Sequence, residues 1–344
     1  MSLAVESLSP EIGLVATARY IPPTRMWPEC TAQRENANAM TPQEKVMRSV
    51  YADTLQWRRT VALPVLLERD ATQIKLLSRR PVAIEQHLTL AEMALTAARK
   101  IRERSAGPDN PAPDQIIVCA TTFEHELALA CAGRLHSETG SGNAPFAIGQ
   151  LQGASFLVAL QVARALMASD TRMGTVLIVA AERWRAPFGR VVGTLTALGD
   201  GAAAALIGHH RSPGWRVRSI TIRTPALPAS GTPETVYIDD ATIVDVIRET
   251  CMTAGLKPSA IDWILPARIN PVLAREISTR AGLLPGRIPY TEADSTGYLC
   301  SADTPACLDA LLRAATPSHG QHILLWSAGF QGQAACAILE FRGK

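Results

Sequence analysis

Residues 154–167 read ASFLVALQVARALM and are apolar nearly all the way round a helix, with only Gln161 and Arg164 interrupting. A helix without a polar face must be enclosed on every side, so the chain has to fold around it. Short apolar runs bounded by turn formers flank it at 116–120, 176–181 and 202–207, reading as buried strands, and a further strand is expected over 147–151. Such strands belong to a parallel, helix-covered sheet. Upstream, an opening strand is expected over 12–19, an irregular cap over about 21–60 where Pro and charge follow no period, and an amphipathic helix over 88–101. A further helix is expected over 126–136.

The same grammar then repeats. Helices are predicted over 243–253, 272–281 and 302–315, with strands at 263–265, 323–326 and 334–341. The two runs of alternating elements imply two halves, 1–210 and 211–344, joined near 209–215. At 344 residues, with 47% hydrophobic and 19% charged side chains, the chain is long enough for two packed layers per half.

A formal net charge of +3 from 34 basic and 31 acidic residues gives no general case for nucleic-acid binding. The short clusters Arg58-Arg59 and Arg79-Arg80 are either a solvated face or an anchor for a phosphate-bearing carrier. Seven cysteines without CxxC spacing suggest neither a disulfide framework nor a zinc site, and a reducing cytoplasm fits best. No basic, apolar leader opens the sequence and no run of about 18 uncharged apolar residues follows, so neither export nor a membrane span is expected.

Five segments, in order, resemble the ketoacyl synthase III branch of the thiolase superfamily, close to its acyltransferase relatives. Val176 to Glu182 is similar to a strand ending in Ala-Glu, and Leu198-Gly-Asp-Gly-Ala-Ala to the GDGA turn. Asp262-Trp-Ile-Leu-Pro-Ala-Arg-Ile-Asn270 resembles the DWxxPHQAN strand and loop. Gly297-Tyr-Leu-Cys-Ser-Ala-Asp303 resembles the GNTSAAS loop or the GHxxxxD loop of the acyltransferases, and Gly329-Phe-Gln-Gly332 the closing GFGGG. The resemblance implies a thiolase fold, a five-layered α/β/α/β/α sandwich of two duplicated halves. It also implies acyl-CoA or phosphopantetheinyl acyl carrier substrates and no permanently bound cofactor.

The resemblance further implies a cysteine nucleophile at the start of the central helix, a histidine and an asparagine. Those positions read Gly153, Ala267 and Tyr298 here. Glycine cannot be acylated through its side chain, and alanine neither exchanges a proton nor donates to an oxyanion. Asn270 keeps the last residue of its motif, and Asp303 matches the aspartate that orients a histidine in the acyltransferases. The candidate catalytic set left is Ser155, Cys300 and Asp303, with Asn270, Gly329 and Gly332 at the pocket. Ser155 reads equally as a small residue packing a tight helix start, and Cys300 as a buried structural thiol. His125 and the pair His209-His210 read as structural or solvated side chains rather than as ligands for a metal.

Two functions remain open. One is a non-condensing pseudoenzyme of fatty-acyl or polyketide-type specialised metabolism, pairing as a homodimer or with a catalytically complete homologue and binding acyl carrier protein. The other is an active acyltransferase using Ser155 or Cys300 with Asp303, or transferring directly between bound partners.

Overall fold

The computed structural model describes residues 11–26, 80–105, 112–122, 124, 130–185, 189–225, 236–289 and 295–343. In chain order the first run comprises β1 (Ile12–Tyr20), β2 (Thr24–Met26), β3 (Pro81–Ala83), α1 (Leu90–Arg104), β4 (Gln115–Ala120), α2 (Cys131–Thr139), β5 (Phe146–Gly149), α3 (Ser155–Ser169), β6 (Thr175–Glu182), β7 (Val191–Val192), β8 (Thr196–Ala197) and β9 (Gly201–His209). The second comprises β10 (Gly214–Arg223), α4 (Asp240–Thr253), β11 (Trp263–Leu265), α5 (Pro271–Arg280), α6 (Asp303–Ala314), β12 (His322–Ala328) and β13 (Ala334–Arg342). Helix starts follow local chemistry. Thr89 and Glu92 form a capping box at α1, and Asp239 caps α4 by accepting from the Thr242 N–H.

Nine strands hydrogen-bond in the order β11-β12-β13-β10-β1-β9-β6-β4-β5. At the middle, β1 and β10 share only the pairs Gly13↔Arg216 and Leu14↔Trp215, so two blocks of strands meet at a narrow seam. Alternate residues of each strand enter different cores, as the two-residue period of a strand requires. Ile117, Cys119, Ile178 and Ala180 from one block, and Leu325, Ala337 and Leu339 from the other, close on Phe156, Leu160 and Leu308 of α3 and α6. Their neighbours Ile116, Val118, Leu177 and Val179 face α1 and α2, whereas Leu324, Trp326, Cys336 and Ile338 face α4 and α5. The stack is α/β/α/β/α with the apolar helix at its centre.

The expectation of a parallel sheet is corrected. β4 runs parallel to β5 and β6, and β11 to β12, but β9, β1, β10 and β13 pair antiparallel, so the sheet is mixed. At the expected join, 209–215, a short loop over residues 210–213 connects β9, which ends at His209, to β10, which begins at Gly214. Strand β10 buries Trp215, Val217, Ser219 and Thr221 between Arg216, Arg218, Ile220 and Ile222, and its two small polar residues blur the apolar alternation. Ser219 satisfies its buried hydroxyl on the Thr250 carbonyl at 3.0 Å. Of the expected 21–60 cap, only residues 21–26 are described, and most of the expected 126–136 helix start lies outside the described residues, α2 beginning at Cys131.

Candidate functional site

The chain enters α3 through a tight 3-10 turn, Gln152–Ala154, with Gln152 held at φ 45°. A Cβ placed on Gly153 would overlap the Tyr298 hydroxyl and would stand 3.0 Å from the Ala328 carbonyl oxygen. Glycine is therefore what the space permits. Tyr298 comes from the loop before α6 and is fixed by its backbone, which exchanges hydrogen bonds with Ala197 O at 2.8 Å and Gly199 N at 3.0 Å. That alignment needs Gly297 at φ 74°, where a side chain would strike Val82 and the Ala197 carbonyl. The Tyr298 ring is 1% exposed and lies 6.2 Å from the Phe330 ring, with Ala267 in the same apolar cluster. Two of the three altered positions, Gly153 and Tyr298, are thus in direct apposition, and the third shares their core.

Arg268, one residue beyond Ala267, holds the Asp303 carboxylate. Its Nη2 reaches Oδ1 at 2.5 Å and its Nε reaches Oδ2 at 3.3 Å, while Asp303 is 1% exposed. Asp303 also accepts from the Leu299 N–H at 3.3 Å. It orients an arginine and a loop, not a histidine. Asn270 caps α5 by accepting from Val272 N at 3.0 Å and Leu273 N at 3.2 Å, and donates to the Leu195 carbonyl at 3.2 Å. Its amide ties two walls of a cavity together.

Among the described residues, neither candidate nucleophile meets a base that would activate it. Ser155 is fully buried and donates to the Gln152 carbonyl at 2.8 Å inside its own turn. Cys300 is equally buried, and burial together with the Glu182 and Asp303 carboxylates pushes its thiol well above the usual range. A thiol so placed carries almost no thiolate at neutral pH. The Phe330 N–H, beside Tyr298, donates to Gln152 Oε1 at 2.9 Å, so that backbone donor is already engaged at the elbow.

An open cavity of about 580 Å³ leads in from the α5 side to Tyr298. Pro266, Ile269, Val272 and Ile288 supply apolar wall, Arg80, Arg275 and the Asp303-paired Arg268 supply basic side chains, and among the described residues no carboxylate is in its lining. This is the size and polarity of a site for a slender ligand with an anionic end. Asn270 is among the lining residues, as are Arg268 and Arg275, which the sequence alone did not single out. An arginine inside the apolar segment Pro266-Ala-Arg-Ile-Asn270 was the available signal. Gly329 and Gly332 are not among its lining residues. Gly332 turns at φ 81° against Tyr237 and Pro225, and a Cβ on Gly329 would meet Gln333. Arg58, Arg59, Arg79 and His125 lie outside the described residues. His210 is kept below its usual pKa by burial, and among the described residues no cluster of His, Cys, Asp and Glu could hold a metal ion.

Residues 150–226 match the family model 3-oxoacyl-[acyl-carrier-protein] synthase III, and residues 251–341 match that of its C-terminal region. The β-ketoacyl-[acyl-carrier-protein] synthase III of Coxiella burnetii (strain RSA 331 / Henzerling II) is 26% identical over 271 residues, covering 72% of this chain and 82% of the relative. Among solved structures, the acyltransferase ChlB3 superposes with TM-score 0.73 at 17% identity, covering 97% of this chain and 98% of its own. The 3-oxoacyl-(acyl carrier protein) synthase III of Pseudomonas aeruginosa PAO1 gives 0.70 at 16% identity, with 96% and 98% covered. The chain is similar in sequence to ketoacyl synthase III and shares its thiolase fold.

In this ketoacyl-synthase-III-like chain two of the signature segments act as braces. The Asp200 carboxylate of the Gly-Asp-Gly turn takes both Arg190 guanidinium nitrogens at 2.8 Å, and the N–H groups of Glu85 and Trp184. Glu182, at the end of β6, accepts from the N–H groups of Thr121 at 2.9 Å, Thr122 at 3.0 Å and Ser301 at 3.2 Å. Burial still raises its pKa against those hydrogen bonds. Both carboxylates fasten loops around the cavity's inner end. Among the described residues no helix is long and apolar enough to cross a membrane.

Proposed function

We propose that this chain binds an acyl thioester, carried on coenzyme A or on the phosphopantetheine arm of an acyl carrier protein, without capturing the acyl group covalently. It serves as a non-condensing subunit that positions the thioester for a catalytically complete partner. The observation that carries this reading is the Tyr298 hydroxyl occupying the volume that any side chain at position 153 would need. The buried, unactivated state of Ser155 and Cys300 supports it. Arg275 and Arg80, both among the cavity's lining residues, suit the phosphates of either carrier, with Arg80 as the described member of the basic clusters. The exposed edge strand β5, with Phe146 36% exposed, offers a pairing edge for a second copy or a homologue, each half of the chain (1–210 and 211–344) contributing one strand block.

The test is to incubate the protein with acetyl-, hexanoyl- and decanoyl-CoA and with the same acyl groups on a carrier protein. Calorimetry then reads binding and intact-mass spectrometry reads adducts. Binding without an adduct is the expected result. A stoichiometric acyl adduct that disappears in Ser155→Ala or Cys300→Ala would overturn the proposal in favour of an acyl-transferring enzyme, and turnover without an adduct would favour direct transfer.

A further inference from the structure

We infer that Tyr298 is a stopper that ends the ligand cavity and sets how far an acyl chain penetrates. The cavity leads inward from α5 past Arg268 and Asn270, and Gly297 and Tyr298 are among its lining residues. On the far side of the Tyr298 ring lies Gly153, whose missing side chain is replaced by the tyrosine hydroxyl. The ring thus separates an open outer volume from a filled inner one, directly above the N-terminus of the central apolar helix. The volume it fills is bounded by the Ala328 carbonyl, Phe330 and the Gly153 backbone.

Three features make this a stopper and not merely one more core residue. The hydroxyl is loosely held, its acceptor being the Ala328 carbonyl at 3.4 Å, so no strong polar contact fixes the ring's tip. Burial and the nearby Cys300 and Asp303 hold the phenol pKa well above normal, so the tip stays neutral and adds no charge to the cavity. The backbone on either side is clamped to β8 and its following turn, which holds the ring across the passage while leaving its side chain as the obstruction. Truncation at 298 should open the passage toward Gly153 without moving the loop.

The inference rests on the thioester reading only for the identity of the chain that meets the stopper; the blockage itself is independent of it. Two measurements keep them apart. First, Gly153→Cys, Gly153→Cys/Tyr298→Phe and Gly153→Cys/Tyr298→Ala are treated with iodoacetamide under native conditions, and labelling is followed on the peptide containing position 153. The introduced thiol is expected to react at least about 10-fold faster with alanine at 298 than with the ring present, the phenylalanine variant serving where the hydroxyl prevents folding. Equal rates in the alanine and phenylalanine variants would overturn the stopper. Second, S-alkyl-CoA thioethers of increasing length are titrated into the native chain and Tyr298→Ala. Affinity should stop rising at a shorter chain in the native protein, whereas each further methylene should gain about 4-fold in the variant. Identical length profiles count against the stopper, and failure of both proteins to bind any thioether refutes the carrier reading while the labelling rates still decide the blockage.

Discussion

The two central helices begin in the same way and end up in different company. Gln152 at φ 45° opens the turn Gln152–Ala154 into α3, and Cys300 at φ 44° opens the turn Cys300–Ala302 into α6. Position for position, Ser155 of one half corresponds to Asp303 of the other, each the first residue of its helix. The left-handed opening residue costs on the order of 1–3 kcal/mol, and both halves keep it. Around it the two differ. The first elbow is met by an aromatic ring reaching across from the second half, the other by two carboxylates, Glu182 at Ser301 N and Asp303 at Leu299 N. The same left-handed opening residue therefore serves two helix starts whose surroundings differ.

The largest expected effect breaks the comparison at its matched helix starts. Asp303→Ala leaves the Arg268 guanidinium, which is mostly buried, without its carboxylate, a change that typically costs about 3–5 kcal/mol and here falls toward the lower end because Arg268 lines an open cavity. Ser155→Ala removes one intraturn hydrogen bond, about 1 kcal/mol. Urea denaturation of the two variants should separate them clearly. Equal losses would mean that the carboxylate does no more for its elbow than the hydroxyl does for its own.

Much of this was legible in the residues. The apolar stretch 154–167 announced a central helix because burial all round leaves no other option, and α3 spans Ser155–Ser169. The buried strands were legible because both their faces are apolar. Strand β10 was not, since Ser219 and Thr221 are buried although polar, and the tertiary hydrogen bond that satisfies Ser219 cannot be seen in a one-dimensional pattern. At the site, Gly153, Ala267 and Tyr298 could be singled out by position, but their relation could not. Nothing in residues 145 positions apart says that a hydroxyl fills the space of a missing side chain, or that Asp303 partners Arg268.

The next effect sharpens the contrast between a plugged and a braced elbow. Gly153→Ala would ordinarily be neutral or gain up to about 1 kcal/mol by restricting the unfolded chain. Here the added methyl meets the Tyr298 hydroxyl, so a loss of about 1–3 kcal/mol is expected instead. In a Tyr298→Phe background the nearest ring atom stands 3.4 Å from that methyl, so the loss should shrink to what the Ala328 carbonyl at 3.0 Å still imposes. Thermal or urea unfolding of the four proteins forms a double-mutant cycle. A coupling near zero would show that the ring adjusts freely and that the elbow is not plugged.

The smallest expected effect concerns the thiol that opens the braced elbow. Cys300 is buried, and burial, Glu182 and Asp303 all raise its pKa, so between pH 7 and 9 it should remain a thiol. An ordinary exposed cysteine, with a pKa near 8.5, gains roughly tenfold in thiolate from pH 7 to 8 and alkylates correspondingly faster. For Cys300 the rate should instead follow opening of the structure, staying negligible without denaturant and rising with urea in step with unfolding. Peptide-resolved alkylation with iodoacetamide at each pH reads this directly. Rapid modification of Cys300 in the folded protein at pH 8 would show that its elbow admits solvent and a thiolate. The α6 start would then be the more reactive of the two, against the expectation from its burial.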